Sequence, residues 1–420
     1  MIESLGYDII YVYYIRKAWN DGETVCELFA GVGGFRLALE RASSDFQTVW
    51  FSQWEPGKTK QWAHDCYVQH WGDIDEFTGV DISIVDKHNI PDHNLLVGGF
   101  PCQDYSVARP LPGSAGLEGK KGVLWWQIRD TLEAKHAPFV LLENVDRLLK
   151  SPASQRGRDF GVILACLAAL GYAVEWRVVN AAEYGAAQRR RRTFIFAYST
   201  NTRYAERMNR QNPEHIISSI GFFARSFPIE QNFVVNEEML NFQDIPIVSE
   251  SFSFEFKNAG YMLNGQIYTA NVKPIEEEPT LLRDILAKNV AEDYYLGDKL
   301  EKWEYLKGAK KIERTSKTGH RYIFSEGAIA FPDSIDAPAR TMLTSESSLN
   351  RSTHVIRDPE TNRLRLLTQV EAERIQGFDD NWTDTGMPQK FRYFCMGNAL
   401  VVPMVTRMGR TLSTIMEGEP

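Results

Sequence analysis

A thiol directly after an apolar run is the clearest candidate for chemistry in this chain. Cys102 follows Leu95-Leu96-Val97 and the turn residues Gly98-Gly99-Phe100-Pro101. Pro101 fixes the backbone and lacks an N–H donor, so a stiff turn sets the direction of the sulfur. A cysteine thiolate is a nucleophile that attacks electron-poor carbons. On this motif alone, a buried structural cysteine is the alternative.

Two charged motifs further along the chain could complete such a site. Glu143 ends the apolar run Phe139-Val140-Leu141-Leu142, where a carboxyl group can hydrogen-bond a ring nitrogen or cap a following helix. The run Arg189-Arg190-Arg191-Arg192 precedes the apolar stretch 193–198, so alternate guanidinium groups should lie on opposite faces of a strand. Arginines held in this way recognise carbonyl and phosphate oxygens.

A glycine-containing stretch near the N-terminus is a candidate cofactor loop. Phe29-Ala30-Gly31-Val32-Gly33-Gly34 lies between a predicted strand, Thr24 to Leu28, and a predicted helix, Phe35 to Arg41. Glycines at such a turn let a cofactor approach the backbone closely. The stretch lacks the full G-x-G-x-x-G pattern. It therefore does not by itself separate a dinucleotide site from an S-adenosylmethionine site.

Alternating strand and helix patterns must bring these motifs together. Strands are predicted over 24–28, 48–51, 95–97, 140–142, 173–179 and 193–197, and helices over 35–41, 58–67 and 161–170. This pattern predicts an α/β fold with a doubly wound sheet, whose ligands bind beyond the carboxyl ends of the strands. The alternation is lost after residue 199, which indicates a second, smaller domain. The last helix, over about 401–416, should pack back on the large domain.

Together and in this order, the motifs resemble those of DNA (cytosine-5)-methyltransferases of the bacterial restriction–modification type. The matching motifs run from about Val25 to Tyr198 and from about Arg340 to Val405. The resemblance implies a Rossmann-like, S-adenosylmethionine-dependent large domain over 24–198, completed by 393–420 and preceded by an extension over 1–23. A smaller mixed domain over 199–392 would contain the target recognition region, about 199–339.

The resemblance also implies catalytic roles. Cys102 would add to C6 of a cytosine flipped out of double-stranded DNA, and Glu143 would contact N3 and the exocyclic amine. Arg192, with Arg190 behind it, would hold O2 and order the site. Addition at C6 makes C5 a nucleophile that takes the methyl group of S-adenosylmethionine. Loss of the C5 proton and expulsion of Cys102 would then release 5-methylcytosine.

The resemblance implies a set of cofactor-binding residues, most of them in the first half of the chain: Phe29, Val32, Gly34, Gln53, Trp54, Asp81, Ile82, Pro101, Leu124, Asn398 and Leu400. The family usually places a glutamate on the ribose hydroxyls and an aromatic residue on the adenine. Here Gln53 stands at the acid position and Trp54 at the aromatic one. Gln53 can accept one hydroxyl hydrogen bond, and Glu55 is the alternative. Cys395 replaces a glutamine that often precedes the Gly-Asn pair.

Two segments are expected to contact DNA. Residues 302–322 hold seven lysines and arginines against two acids, and the predicted contacts there are Lys310, Lys311, Arg314, Lys317 and Arg321. Residues 103–122, rich in glycine and proline beside the nucleophile, are typical of a lid, and its predicted contacts are Gln103, Ser106 and Arg109. A solvated surface loop is the alternative for both segments. The net charge of −8 does not exclude DNA binding, because clustered cations matter more than their sum.

Composition limits the remaining possibilities. The five cysteines show no C-x-x-C spacing, so neither a metal site nor a disulfide framework is predicted. The apolar run over 9–15 is too short to span a bilayer and lacks the flanks of a signal peptide. We therefore expect a cytoplasmic monomer without a membrane segment. A cognate restriction endonuclease should act in the same system, but not in a complex with this enzyme.

Three rival functions fit the motifs less well. An RNA (tRNA) cytosine-5 methyltransferase would share the catalytic core, but the large variable region and the Phe-Pro-Cys-Gln motif favour DNA. A non-catalytic nucleic-acid binder is disfavoured by intact Cys102, Glu143 and Arg192. A nicotinamide-dependent enzyme would need a phosphate fingerprint that this chain lacks. The DNA sequence that is recognised is not predicted.

Overall fold

The computed structural model describes residues 22–100, 123–316 and 319–419. Its strands are β1 (Glu23–Leu28), β2 (Phe46–Ser52), β3 (Leu95–Gly99), β4 (Phe139–Val145), β5 (Tyr172–Asn180), β6 (Arg191–Ser199), β7 (Val235–Met239), β8 (Ala259–Leu263), β9 (Gln266–Ala270), β10 (Lys310–Thr315), β11 (Arg321–Glu326), β12 (Val355–Arg357) and β13 (Leu364–Leu366). Its α-helices are α1 (Gly34–Ala42), α2 (Trp62–Trp71), α3 (Val123–Lys135), α4 (Arg158–Ala169), α5 (Arg203–Asn209), α6 (Pro213–His215), α7 (Phe222–Ser226), α8 (Ile245–Ser251), α9 (Leu282–Ile285), α10 (Leu300–Lys307), α11 (Gln369–Gln376), α12 (Gln389–Asn398) and α13 (Val402–Met416).

One mixed sheet of nine strands organises the large domain, in the order β2-β1-β3-β4-β6-β5-β8-β9-β7. Strands β2, β1, β3 and β4 are parallel, and β6 runs antiparallel to both β4 and β5. Successive side chains of β6 enter different cores, Phe194 and Phe196 on one face and Ile195 and Ala197 on the other. A sheet buried on both faces explains the continuous apolar runs of its strands. The α/β prediction is confirmed.

The sheet continues beyond the part predicted from alternation. Strand β8 pairs antiparallel with β5, and β9 and β7 extend the sheet to its edge. The sheet therefore passes residue 199, where the sequence suggests that the small domain begins. Edge strand β7 exposes Glu237 and Glu238, and charges on an edge oppose pairing with another chain.

The predicted elements of the first half all occur, but one begins late. The helix expected over 58–67 begins at Trp62, because the Gln61 side chain binds the backbone before it. Gln61 Oε1 accepts from the Glu55 N–H at 2.7 Å, and Gln61 Nε2 donates to the Glu55 carbonyl at 3.1 Å and the Lys58 carbonyl at 2.9 Å. These bonds hold 55–61 as a loop instead of a first helical turn.

The C-terminal helix packs on the first helix of the large domain, as predicted. A Cβ atom at Gly409 of α13 would lie 2.7 Å from the Ala42 side chain at the end of α1, so a glycine is needed for the close approach. The Ser413 hydroxyl also donates to Glu23 Oε1 at 3.1 Å. Within the described residues, no helix is long and apolar enough to cross a bilayer.

Candidate active site

A cleft of about 440 Å³ lies beyond the carboxyl ends of β1, β3 and β4. Its walls come from the loops that follow β1 and β2, from the ends of β3 and β4, from the start of β6, and from 394–400. Ligands bind at this edge in doubly wound sheets. Six of the residues predicted to contact the cofactor line it: Phe29, Val32, Gly34, Gln53, Asn398 and Leu400.

The loop after β1 adopts a left-handed backbone at three positions, Phe29 (φ 57°), Gly31 (φ 59°) and Gly33 (φ 84°). Glycine adopts this conformation without strain, whereas a phenylalanine does so at a cost of order 1–3 kcal/mol, and such strain clusters at functional sites. A Cβ at Gly33 would also lie 2.2 Å from the Trp71 ring. The sequence thus produces a tight loop that exposes backbone to the cleft.

The two candidate acceptors after β2 are in different states. Gln53 is buried, and its Oε1 accepts from the Gly31 N–H at 2.7 Å, so this oxygen supports the glycine loop. Glu55 also lines the cleft, but its buried Oε2 has no hydrogen-bond partner within the described chain. Burial raises the pKa of Glu55, and Lys58 opposes that shift. An unpaired buried oxygen in a ligand cleft indicates a place for a donor from the ligand.

A carboxylate and a guanidinium group meet at the other end of the cleft. Arg192 Nε lies 2.6 Å from Glu143 Oε1, and both side chains are mostly buried. The contact is an ion pair without a directed hydrogen bond, since Glu143 Oε1 has no hydrogen-bond partner among the described residues. A Cβ at Gly99 would lie 3.3 Å from Glu143 Oε2, so the glycine leaves room for this carboxylate. Glu143 belongs to β4 and does not cap a helix.

Arg190 has a different partner set from Arg192. Its buried guanidinium donates to the Met342 carbonyl at 3.0 Å and to the Gly397 carbonyl at 2.9 Å. Burial lowers the pKa of Arg190 to about 9. Gln188 Oε1 accepts from the Met342 N–H at 2.9 Å beside it. Arg190 therefore ties the start of β6 to the C-terminal wall of the cleft, while Arg192 faces the cleft itself.

An amide that the sequence analysis did not assign holds the strand leading to the thiol. Asn144 is buried, and its Nδ2 donates to the Phe100 carbonyl at 2.8 Å. This bond fixes the end of the segment that precedes Cys102. Its position next to Glu143 was visible in the sequence, but its partner was not. Cys102 itself lies outside the described residues.

The other predicted residues fall into three groups. Four predicted residues do not line the cleft: Trp54, Asp81, Ile82 and Leu124. Trp54 is partly exposed, and Asp81 accepts a hydrogen bond from the Ser83 N–H. Ile82 is buried in the hydrophobic core, and Leu124 packs against that core. Lys310, Lys311, Arg314 and Arg321 lie on the β10–β11 hairpin, apart from the cleft lining. Outside the described residues are Pro101, Gln103, Ser106, Arg109 and Lys317.

Comparison with known families gives one match over most of the chain. The model of a family described as C-5 cytosine-specific DNA methylase matches residues 24–414. The Type II methyltransferase M.Sau3AI of Staphylococcus aureus is 50% identical over 399 residues, which cover 93% of this chain and 95% of that protein. The Type II methyltransferase M.NlaX of Neisseria lactamica is 27% identical, covering 93% of this chain and 96% of that protein.

Solved structures match the fold at low sequence identity. The Dnmt2 methyltransferase of S. pombe aligns with a TM-score of 0.57 at 16% identity, covering 94% of this chain and 98% of that one. The Entamoeba histolytica methyltransferase EhMeth aligns with a TM-score of 0.53 at 15% identity, covering 93% and 98%. The fold is therefore shared with these two structures.

Proposed function

Since this chain belongs to the C-5 cytosine-specific DNA methylase family, we propose that it methylates a flipped-out cytosine of double-stranded DNA through a covalent bond to Cys102. The contact between Glu143 and Arg192 carries the proposal. It puts an acid and a cation in one cleft with a glycine loop, beside the end of β3, the strand that leads to the thiol. Flipping is needed because C6 is stacked in the duplex, and unstacking costs a few kcal/mol.

The cofactor half of the cleft fits S-adenosylmethionine, which supplies an electrophilic methyl group when bound. The loop with a left-handed backbone at Phe29 and Gly31 exposes backbone that a nucleoside can approach. We assign the ribose hydroxyls to Glu55, because its Oε2 is buried and unpartnered while Gln53 is occupied by Gly31. Asn398 and Leu400 would complete the opposite wall.

The catalytic half would act on the base in two steps. The Cys102 thiolate would form a bond to C6 while a proton moves from Glu143 toward N3, so that C5 gains electron density and takes the methyl group as the sulfur–methyl bond breaks, leaving S-adenosylhomocysteine. Loss of the C5 proton to solvent restores the C5–C6 double bond and breaks the C6–S bond. N3 returns its proton to Glu143, and the products are DNA with 5-methylcytosine at the target position and Cys102 as the thiolate.

The geometry supports separate roles for the two charged side chains. Glu143 and Arg192 touch each other and both line the cleft, so a base bound in the cleft could contact both side chains. Arg192 would hold the base O2. Arg190 would act as a positioning residue, because it binds the backbone at Met342 and Gly397 and not the cleft.

A role in protecting host DNA in a restriction–modification system follows as part of the proposal. Its support is the 50% identity to a Type II methyltransferase over nearly the whole chain. A cognate endonuclease would then act on the same site without forming a complex, and the enzyme would work as a cytoplasmic monomer. Transfer to tRNA is the outcome that would replace this proposal.

A covalent trap tests the mechanism. Bisulfite sequencing of plasmid DNA after expression first gives the methylated site, and a duplex with 5-fluorocytosine at that site is then incubated with enzyme and S-adenosylmethionine. Because fluorine cannot leave as a proton, a thioether that survives denaturation should accumulate. It should be absent in Cys102→Ala and form slowly in Glu143→Gln. A normal cytosine substrate that is methylated, without any adduct from its fluorinated form, would contradict the covalent mechanism.

A further inference from the structure

The glycine loop of the cofactor half is held by a tryptophan that lies 350 positions later in the chain. Trp382 Nε1 donates a hydrogen bond to the Val32 carbonyl at 2.9 Å. Val32 lines the cleft, whereas Trp382 is buried and is not among the lining residues. The indole of Trp382 therefore supports the loop without being part of the cleft surface.

Aromatic packing on α2 fixes the direction of the Trp382 indole. Its ring lies almost parallel to the His70 ring, with 3.6 Å between the ring centroids and 10° between the planes. The Trp71 ring meets it edge-on at 5.4 Å, and a Cβ atom at Gly33 of the loop would collide with this same Trp71 ring. His70 Nε2 also bonds to the Trp382 carbonyl at 2.8 Å. Both the ring and the backbone of Trp382 are thus bound to α2.

A buried carboxylate shapes the turn that carries Trp382. Glu373 of α11 is fully buried, and its Oε2 accepts from the Asn381 N–H at 2.8 Å. Its Oε1 accepts from the Thr383 N–H at 2.9 Å and from the Thr383 hydroxyl. Asn381 adopts a left-handed backbone (φ 62°), which asparagine tolerates better than most residues. One carboxylate therefore binds the residues on both sides of Trp382 and fixes the position of the indole.

The same carboxylate is connected to the opposite wall of the cleft. Arg392 of α12 donates to Glu373 Oε1 at 3.0 Å and to the Thr383 hydroxyl at 2.9 Å. The last turn of α12 and the residues after it, 394–400, form the C-terminal wall. A continuous set of hydrogen bonds therefore joins the glycine loop to this wall. The four side chains that form the set are all buried: Trp382, Glu373, Thr383 and Arg392.

The glycine loop needs contacts of this kind to keep its shape. Phe29 has a left-handed backbone, and a residue other than glycine persists in this conformation only where its surroundings hold it there. Gln53 binds the Gly31 N–H on one side, and Trp382 binds the buried Val32 carbonyl on the other. Without the indole donor, this carbonyl could regain a hydrogen bond only if the loop moved toward water.

We propose that Trp382 and Glu373 are positioning residues that hold the glycine loop and the C-terminal wall ready for S-adenosylmethionine before it binds. The Trp382 N–H keeps the Val32 carbonyl in place, and Glu373 holds both the Trp382 turn and Arg392. Neither Trp382 nor Glu373 lines the cleft, so they set the affinity for the cofactor and not the rate of methyl transfer. This inference rests on the proposed function, because it requires the cofactor to bind in this cleft.

Trp382→Phe tests the role of the indole donor, because it keeps an aromatic ring between His70 and Trp71 and removes only the N–H. By calorimetry, the Kd of S-adenosylhomocysteine should rise by about 5- to 30-fold, since only molecules with a formed loop bind. This rise corresponds to about 1–2 kcal/mol, within the cost of a buried acceptor that loses its donor. The KM for S-adenosylmethionine should rise in parallel, while kcat and the KM for DNA stay near the wild-type values.

Trp176→Phe is a matched control. Trp176 is buried in the large sheet outside the cleft lining, and its Nε1 donates to the Lys257 carbonyl at 3.2 Å. The control variant therefore loses an equivalent indole–carbonyl hydrogen bond at a distant place. In urea unfolding, both variants should be less stable than wild type. Only Trp382→Phe should bind S-adenosylhomocysteine more weakly.

Hydrogen exchange followed by mass spectrometry reports on the loop directly. Peptides that cover residues 29–34 should exchange faster in ligand-free Trp382→Phe than in wild type, and saturating S-adenosylhomocysteine should restore their protection. The same peptides should exchange at the wild-type rate in Trp176→Phe.

Glu373→Gln tests the second half of the set, because the amide keeps the size of the side chain but replaces one acceptor with a donor. The Kd of S-adenosylhomocysteine should rise in this variant too. Because both residues act on one loop, the Kd of the double variant with Trp382→Phe should rise by less than the product of the two single effects. The effects of Trp382→Phe and Trp176→Phe should multiply.

Different results would overturn the positioning role and the proposed function. An unchanged Kd of S-adenosylhomocysteine in folded Trp382→Phe, or an equal rise in Trp176→Phe, would overturn the positioning role and leave the methyltransferase proposal standing. If Trp382→Phe does not fold, an unchanged Kd and unchanged loop exchange in Glu373→Gln would have the same meaning. Failure of the wild-type enzyme to bind S-adenosylhomocysteine would contradict the proposed function itself.

Discussion

Replacing Glu55 with alanine should weaken binding of S-adenosylhomocysteine and leave the glycine loop intact. The carboxylate lines the cleft with one buried, unpartnered oxygen, and the ribose of the ligand offers two hydroxyl donors. Gln53 cannot serve as freely, because its Oε1 already accepts from Gly31 at 2.7 Å. The change therefore removes ligand contacts without removing a bond within the protein.

The size of the effect follows from the state of the carboxylate before binding. A hydrogen bond to a charged group contributes about 1.5–3 kcal/mol net, much of the cost being desolvation. Here Oε2 is already out of water in the ligand-free protein, so binding adds little further cost and the upper part of the range applies. At about 1.4 kcal/mol per factor of ten, an upper range of about 2.2–3 kcal/mol corresponds to a rise in Kd of about 40- to 140-fold in Glu55→Ala.

Isothermal titration calorimetry with S-adenosylhomocysteine and its 2′,3′-dideoxy analogue measures the contact without turnover. Wild type should bind the dideoxy analogue more weakly than the parent ligand, and Glu55→Ala should bind both alike. Gln53→Ala should weaken both ligands equally, because it removes the acceptor for Gly31. The exposed Glu76→Ala is the control.

Two results would refute this reasoning. One is an unchanged Kd for S-adenosylhomocysteine in Glu55→Ala, and the other is a hydroxyl effect that persists in that variant. The pH dependence supplies a further check, because burial raises the pKa of Glu55 and only the ionised carboxylate accepts from both hydroxyls. Affinity should fall as the pH falls through that pKa in wild type, and Glu55→Gln should lack this dependence.

Two further predictions concern turnover and stability. Cys102→Ser should abolish methyl transfer but retain S-adenosylhomocysteine affinity by calorimetry, because an alcohol is a far poorer nucleophile near neutral pH, and robust methylation by this variant would remove Cys102 from its role. Burial raises the pKa of Glu175 from 4.5 to about 7, and a hydrogen bond from Tyr204 opposes this shift. The protonated Glu175 side chain therefore contributes fully to the free energy of unfolding below pH 4.5, and this contribution is lost as the pH rises to about 7. In urea unfolding at several pH values, the free energy of unfolding should decline with rising pH by about 2–3 kcal/mol more in wild type than in Glu175→Gln. Equal declines in the two proteins would contradict the assignment of Glu175 as a buried acid.

The parts of the fold that sequence could predict are those set by local pattern. Apolar runs predicted the first six strands of the chain, all of which belong to the large sheet. The alternation of side chains at the start of β6 predicted that Arg190 and the exposed Arg191 lie on opposite faces. The meeting of Glu143 with Arg192 could be expected, because both lie at the same edge of the sheet. The continuation of the sheet through β8 and β9 could not, since it depends on pairing between segments distant in sequence.

The states of individual polar groups were also beyond the sequence. Whether Gln53 or Glu55 is free for a ligand depends on the Gly31 N–H and on how Gln61 holds the loop after β2. The register of the β10–β11 hairpin decides which cations share a face. Counting cations could not show that Lys310 contacts the Tyr305 ring or that Arg314 stacks on Phe324. These features arise from tertiary contacts, which side-chain type alone does not specify.

The hydrogen bonds that Arg190 forms with Met342 and Gly397 affect when the cleft can form during synthesis on the ribosome. The cleft needs residues that lie far apart in the chain, 29–35 and 394–400, and the apolar surface of α1 stays uncovered until α13 has been made. Domains fold as units during synthesis, and exposed apolar surface at that stage favours aggregation. A nascent chain halted before residue 397 should therefore be inactive and depend on chaperones, and catalytic competence should appear only with the final segment.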